Sequence, residues 1–139
     1  MTSPAVCHFG ILTASDRADK GEYEDLSGPE IEKFLQEVLI TPWKIFRKLV
    51  PDVKEDIEES IIDLIDNNMC SVVITTGGTG PAARDVTPEA TISICERILP
   101  GFGEEMRRIS LEYVPTAVLS RQMAGIRGKC LVMNLPGSN

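Results

Sequence analysis

The chain has 139 residues, of which 42% are hydrophobic and 25% charged, as is usual for one soluble globular domain. Its formal net charge of −7 argues against broad nucleic-acid binding, because phosphate backbones attract basic surfaces. The N-terminus lacks the basic and apolar regions of a signal peptide, and no run approaches the roughly 20 apolar residues of a membrane span. The four cysteines are far apart and lack metal-ligand spacing, so we expect reduced thiols and a cytoplasmic location.

The first half of the chain alternates strand and helix patterns. Residues 5–13 are apolar and β-branched enough to predict a buried strand. Residues 27–39 repeat apolar side chains at helical spacing, and Ser27 is placed to cap that helix. Residues 43–50 predict a second strand, and residues 53–68 repeat the helical pattern.

The second half continues the alternation. Residues 70–76 predict a third buried strand, and a helix should follow from Thr87, with Pro88 at its first position. Residues 102–114 predict a further helix, and residues 129–135 predict a final strand.

Strands that alternate with helices predict a single α/β domain over residues 1–139, with a mainly parallel sheet flanked by helices. In such sheets ligands bind outside the carboxyl ends of the strands, near a topological switch point. A polar or glycine-rich segment follows each predicted strand at this edge. The four segments are Ser15-Asp16-Arg17, Asp52, residues 75–85 and residues 135–139.

The run "TTGGTGPAARD" (75–85) is the richest of these segments in glycine. Its backbone N–H groups, together with the helix N-terminus near Thr87, predict a site for phosphate or pyrophosphate. A Walker A loop is excluded because the run has no lysine, and the G-x-G-x-x-A match at 78–83 is rejected because it leads into more loop. A tight turn that merely needs positive φ is the alternative.

Asp52 and Asp85 are the candidate catalytic and metal-binding side chains. Two carboxylates at one sheet edge can hold Mg²⁺, which prefers oxygen ligands and bridges them to substrate phosphates. The alternatives are that Asp52 caps the helix that follows it and that Asp85 closes a turn. His8 is the single histidine and lies early in the first strand, so no Ser/His/Asp or Cys/His nucleophile is indicated.

Several stretches resemble one family over nearly the whole chain. The stretches "TTGGTGPAARDVTPEAT" (75–91), "PGFGEEMRRISLEYVPTAVLSRQMAGIRG" (100–128) and "NLPG" (134–137) are similar to the molybdopterin adenylyltransferases of molybdenum-cofactor biosynthesis, the MogA type in particular. The stretches "ILTASDRADKGEYEDLSGPEIEKFL" (11–35) and "LVPD" (49–52) agree with it. MoaB-type proteins and gephyrin-like domains share the glycine loop.

The resemblance implies a mainly parallel α/β domain that assembles as a homotrimer. It implies transfer of AMP from Mg-ATP to the terminal phosphate of molybdopterin, with Mg²⁺ as cofactor, ATP as co-substrate and pyrophosphate as by-product. Handover of adenylylated molybdopterin to the molybdenum-insertion enzyme is implied as well, and no nucleic acid or membrane is expected among the partners.

The resemblance also implies site residues. The functional aspartates of the family match Asp52 and Asp85, which we expect to organise ATP through Mg²⁺. Together with the sheet-edge argument, it predicts a substrate-binding set consisting of Ser15, Asp16, Arg17, Thr75, Thr76, Gly77, Gly78, Thr79, Gly80, Ser120, Pro136 and Gly137.

Family members continue for some tens of residues past the "LPG" motif, so we expect this chain to lack the C-terminal segment of the family. The alternatives are a MoaB-like paralogue and a non-catalytic pterin-binding carrier or scaffold, which would keep the glycine loop but bind ATP poorly. A tubulin-like GTPase is disfavoured, because 139 residues are too few for that fold.

Overall fold

A computed structural model describes residues 6–22, 24–40 and 42–137 of the chain. The strands in this part of the chain are β1 (Cys7–Ala14), β2 (Trp43–Val50), β3 (Val72–Thr76), β4 (Arg97–Ile98), β5 (Ala124–Arg127) and β6 (Cys130–Leu135). They form a six-stranded sheet in the order β2-β1-β3-β6-β5-β4.

The four predicted strands are confirmed and form the parallel part of this sheet. β1 pairs in parallel with β2 and β3, and β3 pairs in parallel with β6. Residue 5 of the predicted first strand lies outside the described residues. Because β2 and β3 flank β1 on opposite sides, the chain reverses its direction of winding between β1 and β3. The carboxyl ends of the four strands therefore meet at one edge, next to this switch point.

Two short strands were not predicted. β5 pairs antiparallel with β6, and β4 pairs antiparallel with β5, so the sheet is mixed at this side. β5 has four residues and β4 has two, which is too short for an alternating pattern to stand out in a sequence.

The helices cover both faces of the sheet. In the described residues they are α1 (Asp16–Asp19), α2 (Ser27–Val38), α3 (Lys54–Asp66), α4 (Thr87–Ile94), α5 (Pro100–Leu111) and a 3₁₀ helix (Pro115–Leu119). The four long helices were predicted, whereas α1 and the 3₁₀ helix are single turns without a periodic signal. The start of α4 at Thr87, with Pro88 in its first turn, is confirmed.

The start of α2 corrects the predicted cap. Ser27 is the first helical residue and Leu26 is the N-cap, so Ser27 lies one position too late to cap the helix. The first-turn N–H of Gly28 is instead bound by the carboxylate of Asp25, at 3.0 Å. Asp25 also accepts hydrogen bonds from Thr13 Oγ1 at 2.8 Å and Arg47 Nη2 at 3.3 Å. The carboxylate of Asp25 therefore joins β1, β2 and α2.

The core lies on both faces of β1. Leu12 faces α3, where it packs with the fully buried Ile57, Ile61 and Leu64. Ile11 points to the opposite face and packs in a cluster with Phe9 and Leu35 of α2, with Ile31 partly buried against it. The near-continuous apolar run in β1 is the expected pattern for a parallel strand that is covered on both sides. All four cysteines are free thiols, as predicted. Burial raises the pKa of Cys70 to about 11.

None of the helices in the described ranges is long and apolar enough to cross a membrane.

Candidate functional site

A cleft of about 880 Å³ opens at the carboxyl edge of the parallel strands. Its walls come from the segments that follow β1, β2, β3 and β6, and from the segment after the 3₁₀ helix. Every predicted site residue except Thr75 lines this cleft. Thr75 is fully buried, and its Oγ1 accepts a hydrogen bond from Asn134 Nδ2 at 3.0 Å. The structure therefore brings the predicted residues together around the cleft, except Thr75, which is buried in the interior.

The glycine loop turns sharply as it leaves β3. Gly77 and Gly78 have φ values of 95° and 69°. A Cβ on Gly77 would lie 2.3 Å from the carbonyl oxygen of Ala14, and one on Gly78 would lie 2.3 Å from Thr87 Oγ1. Both positions require glycine, because the backbone is left-handed and the neighbouring atoms leave no room for a side chain.

Thr87, the first residue of α4, holds this turn. Its N–H donates to Gly78 O at 3.1 Å, and its hydroxyl donates to Gly77 O at 2.9 Å. Behind it, the hydroxyl of Thr91 donates to Thr87 O at 2.9 Å, and Asn134 Nδ2 donates to Thr91 Oγ1 at 3.0 Å. The turn is thus fixed from inside the protein by a chain of fully buried polar side chains.

The loop leaves donors for a ligand. Among the described residues, none accepts a hydrogen bond from the backbone N–H groups of Gly78, Thr79 and Gly80. Successive N–H groups next to left-handed residues form an anion-binding concavity, and the N-terminus of α4 adds partial positive charge. The anion-binding interpretation therefore gains support over a turn that serves only to reverse the chain.

Asp52 and Asp16 exchange hydrogen bonds across the cleft floor. Asp52 N donates to Asp16 Oδ1 at 2.8 Å, and Asp16 N donates to Asp52 Oδ2 at 3.1 Å. The N-cap of α3 is Val53, without a side-chain cap. The alternative in which Asp52 caps α3 is therefore wrong, because the carboxylate is bound to the loop after β1 instead.

The second oxygen of Asp52 has no partner. Oδ1 is buried and accepts no hydrogen bond from the described residues. Burial raises the pKa of the Asp52 carboxyl above its ordinary value; the N–H of Asp16 opposes this, while the carboxylates of Asp16 and Asp85 add to it. A buried, unpaired carboxylate oxygen beside two other carboxylates is poised to receive a cation or a proton.

Asp85 lies at the end of the glycine loop, close to Gly80. Its Oδ2 accepts from Ala82 N at 3.1 Å, while its own N–H donates to Ala82 O at 3.0 Å. The turn-closing role considered for Asp85 is thus real. It does not exclude a ligand role, because Asp85 is half-buried in the cleft wall and a carboxylate has further lone pairs.

The lining of the cleft is acidic overall. Two guanidinium groups, of Arg17 and Arg84, face five carboxylates. The carboxylates belong to Asp16, Glu24, Asp25, Asp52 and Asp85. A polyphosphate would be repelled by this surface unless a cation came with it. In the described residues, no group of three or more His, Cys, Asp or Glu side chains is arranged to hold a metal ion.

Sequence reasoning missed two residues that shape the site. Thr87 was recognised only as a helix start, and Arg121 is absent from the predicted site residues. Arg121 does not line the cleft but binds the back of the glycine loop, with Nε 2.8 Å from Gly80 O. The hydroxyl at the start of α4 was the available signal for Thr87, whereas nothing local in the sequence connects Arg121 with a loop 41 positions earlier.

Replacement of Gly78 by alanine tests the turn. Gly128→Ala is the matched control, because Gly128 also has positive φ, at 59°, but its Cβ would meet nothing within 4 Å. We expect Gly128→Ala to lower the free energy of unfolding by about 1–2 kcal/mol through backbone strain alone. Gly78→Ala should cost about 1–3 kcal/mol more, through the clash with Thr87, and should abolish pyrophosphate binding. Urea denaturation and calorimetry measure both effects; equal losses in the two variants would contradict the clash.

Comparisons with known proteins identify the family of this chain. The family described as "Probable molybdopterin binding domain" matches residues 10–139. A molybdopterin adenylyltransferase of Helicobacter pylori is 58% identical over 130 residues, which cover 94% of this chain and 74% of that protein. The molybdopterin adenylyltransferase of Escherichia coli K12 is 50% identical over 129 residues, covering 93% of this chain and 66% of that protein.

A solved structure shares the fold. The crystal structure of the molybdopterin biosynthesis enzyme MoaB from Thermus thermophilus superposes with a TM-score of 0.85 at 40% identity, covering 96% of this chain and 82% of that chain. The family match spans the glycine loop, both candidate aspartates and the segment that follows β6. The chain is therefore a member of the molybdopterin-binding domain family of molybdenum-cofactor biosynthesis, as its motifs predicted.

Proposed function

We propose that the protein is a molybdopterin adenylyltransferase, which transfers AMP from ATP to the terminal phosphate of molybdopterin and releases pyrophosphate. The observation that carries this proposal is the glycine loop, whose unpaired N–H groups face the same cleft as Asp52 and Asp85. The names of the relatives at 58% and 50% identity support the same reaction.

The reaction needs no protein nucleophile. An oxygen of the molybdopterin phosphate attacks the α-phosphorus of ATP, and the bond from this phosphorus to the bridging oxygen of the β-phosphate breaks. The electron pair leaves with pyrophosphate. Catalysis then consists of alignment of the two phosphates and stabilisation of charge in the transition state. His8, the one histidine, is bound through Nδ1 to Asn68 O at 2.7 Å, outside the cleft lining.

The described residues supply groups for both tasks. The N–H groups of Gly78, Thr79 and Gly80 are placed to bind phosphate oxygens, and Arg17 and Arg84 add positive charge at the cleft walls. Ser120, Pro136 and Gly137 line the same cleft and complete the surface proposed to hold the pterin and its phosphate.

Mg²⁺ fits the carboxylates of this site. Asp52 Oδ1 is buried without a partner, and Asp85 Oδ2 is the atom that a Cβ on Gly80 would approach to 2.7 Å. One or two carboxylates together with substrate phosphates are the ligand set that Mg²⁺ commonly takes. Asp52 and Asp85 would hold the ion, which would neutralise charge on the ATP phosphates as pyrophosphate departs.

Neutral replacements of the aspartates test the proposal. We expect Asp52→Asn and Asp85→Asn to lower the rate of AMP transfer by at least about 100-fold, because each removes a charge that organises the phosphates. Asp66→Asn, at the exposed far end of α3, is the matched control and should keep full activity. The assay supplies molybdopterin and Mg-ATP anaerobically and detects adenylylated molybdopterin and pyrophosphate.

The same assay separates the alternatives. Wild-type protein that binds molybdopterin but forms no product would be a carrier or scaffold, and the proposed function would be wrong. Transfer at full rate in Asp85→Asn would leave the reaction standing but remove Asp85 from it. Transfer from GTP as efficient as from ATP would contradict adenylyl specificity.

Removal of divalent cations tests the metal. With EDTA we expect AMP transfer to stop and ATP binding to weaken by at least about tenfold, because the acidic cleft would then repel the polyphosphate. Added Mg²⁺ should restore both, and Asp52→Asn should need a higher Mg²⁺ concentration for half-maximal binding. Undiminished ATP binding in metal-free buffer would show that the loop and arginines suffice.

We also propose a homotrimer, supported by an apolar surface on α5 and the residues after it. The aromatic side chains of Phe34 in α2 and Phe102 in α5 are 60% and 41% exposed, which favours a place in an interface over one in the core. We define the α5 surface as the exposed side chains of Phe102, Ile109, Leu111, Tyr113, Val114, Val118 and Leu119. Several large apolar side chains exposed within one short segment of the chain are typical of a protein contact.

Sedimentation equilibrium tests this assembly. We expect a mass three times that of one chain at micromolar concentration, and dissociation in Tyr113→Glu, because Tyr113 is 79% exposed within the α5 surface. Met69→Glu, in the turn after α3, is a matched control at 69% exposure and should stay trimeric. A monomeric wild type would contradict the proposal.

We also propose that the product is handed over to a molybdenum-insertion enzyme and that the protein is cytoplasmic. Co-purification with that enzyme would test the handover, and cell fractionation would test the location.

A further inference from the structure

We propose that Arg121 is a positioning residue for AMP transfer, which holds the glycine loop from behind so that Asp85 and the loop N–H groups face the phosphates. This inference rests on the proposed function. It concerns a residue outside the cleft lining, and the geometry of its guanidinium group carries it.

Arg121 binds the loop at three carbonyl groups. Its backbone N–H donates to Thr79 O at 2.8 Å, its Nε donates to Gly80 O at 2.8 Å, and its Nη2 donates to Asp85 O at 2.6 Å. The segment from Thr79 to Asp85 is therefore fixed at both ends by one residue. These carbonyl groups bind Arg121, whereas the backbone N–H groups of Gly78, Thr79 and Gly80 have no intramolecular acceptor among the described residues.

The third guanidinium nitrogen ties the assembly to α4. Arg121 Nη1 forms a hydrogen-bonded ion pair with Glu89 Oε2. This hydrogen bond lowers the pKa of Glu89 below its ordinary value, as expected for a carboxylate held by a cation. Glu89 lies two residues after Thr87, so the first turn of α4 holds Gly77 and Gly78 directly and the far part of the loop through Arg121.

A shift of this loop would reach the reacting groups. Asp85 and Ala82 exchange two hydrogen bonds, so residues 82–85 behave as one unit, and the carboxylate of Asp85 follows the carbonyl of Asp85 that Arg121 binds. A displacement of about 1 Å in a positioning group can lower a rate by about 100-fold. Arg121 thus acts on the chemistry through Asp85 without touching substrate.

Lysine cannot replace this arginine. The guanidinium presents Nε, Nη1 and Nη2 in a fixed plane toward three different acceptors, whereas an ammonium group is a single flexible point charge. Arg121→Lys therefore keeps the positive charge and removes the planar set of three donors, so this variant separates the effect of the donor geometry from the effect of the charge.

The control is Arg127→Lys. Arg127 also donates from its guanidinium to a carbonyl of α4, with Nη1 2.9 Å from Ile94 O, but at the opposite end of the helix and outside the cleft. Both variants are compared for kcat of AMP transfer, for calorimetric Kd of ATP without molybdopterin, for unfolding midpoint in urea, and for amide hydrogen exchange over residues 77–86.

We expect Arg121→Lys to lower kcat by about 10- to 100-fold while the Kd of ATP changes by less than about threefold, and to accelerate exchange over residues 77–86. Arg127→Lys should lose a comparable amount of stability without lowering kcat and without accelerating exchange over residues 77–86. Glu89→Gln, which leaves the carbonyl contacts in place, should give a smaller fall in kcat in the same direction, and it serves as the second variant if Arg121→Lys folds poorly.

Unchanged kcat and unchanged loop exchange in Arg121→Lys would overturn the inference, as would a loss of activity that lies wholly in weaker ATP binding. A wild-type protein without AMP transfer would overturn the proposed function instead. In that case the exchange comparison still decides whether Arg121 holds the loop, so the two failures remain distinguishable.

Discussion

The sharp turn from β3 into the glycine loop is the constraint on which the rest of the site depends. Gly77 comes against the carbonyl oxygen of Ala14, and Gly78 comes against the hydroxyl of Thr87. This contact brings the loop beside the segments that follow β1 and β2, where Asp16 and Asp52 lie. Without the turn, the candidate phosphate donors and the candidate metal ligands would belong to separate surfaces.

The site combines two kinds of unsatisfied group. The N–H groups of Gly78, Thr79 and Gly80 lack acceptors among the described residues, and Asp52 Oδ1 lacks a donor. The unpaired oxygen of Asp52 is costly in the free protein, because a buried polar group loses solvation without gaining a partner. A polyphosphate that carries a divalent cation would satisfy both at once, because its oxygens match the N–H groups and its cation matches the carboxylate. The proposed substrate, ATP with Mg²⁺, has this charge pattern.

The rigidity of this arrangement comes from polar groups beneath and behind the loop. Asn134, Thr75 and Thr91 form hydrogen bonds in the fully buried interior, and Thr91 in turn binds the carbonyl of Thr87. Arg121 supplies the outer support at the other end of the loop. Preorganised donors stabilise a transition state well because they need not reorient during the reaction.

The amino-acid sequence is enough to predict the α/β class, the four parallel strands, the long helices and the segments that line the cleft. These follow from local patterns: apolar periodicity sets the elements, and parallel strands place whatever follows them at one edge. It does not predict the antiparallel strands β4 and β5, the buried position of Thr75, the hydrogen bonds of Asp25 or the contacts of Thr87 and Arg121 with the glycine loop. Each of these depends on contacts between residues distant in the chain, and such contacts leave no periodic signal in the segment that makes them.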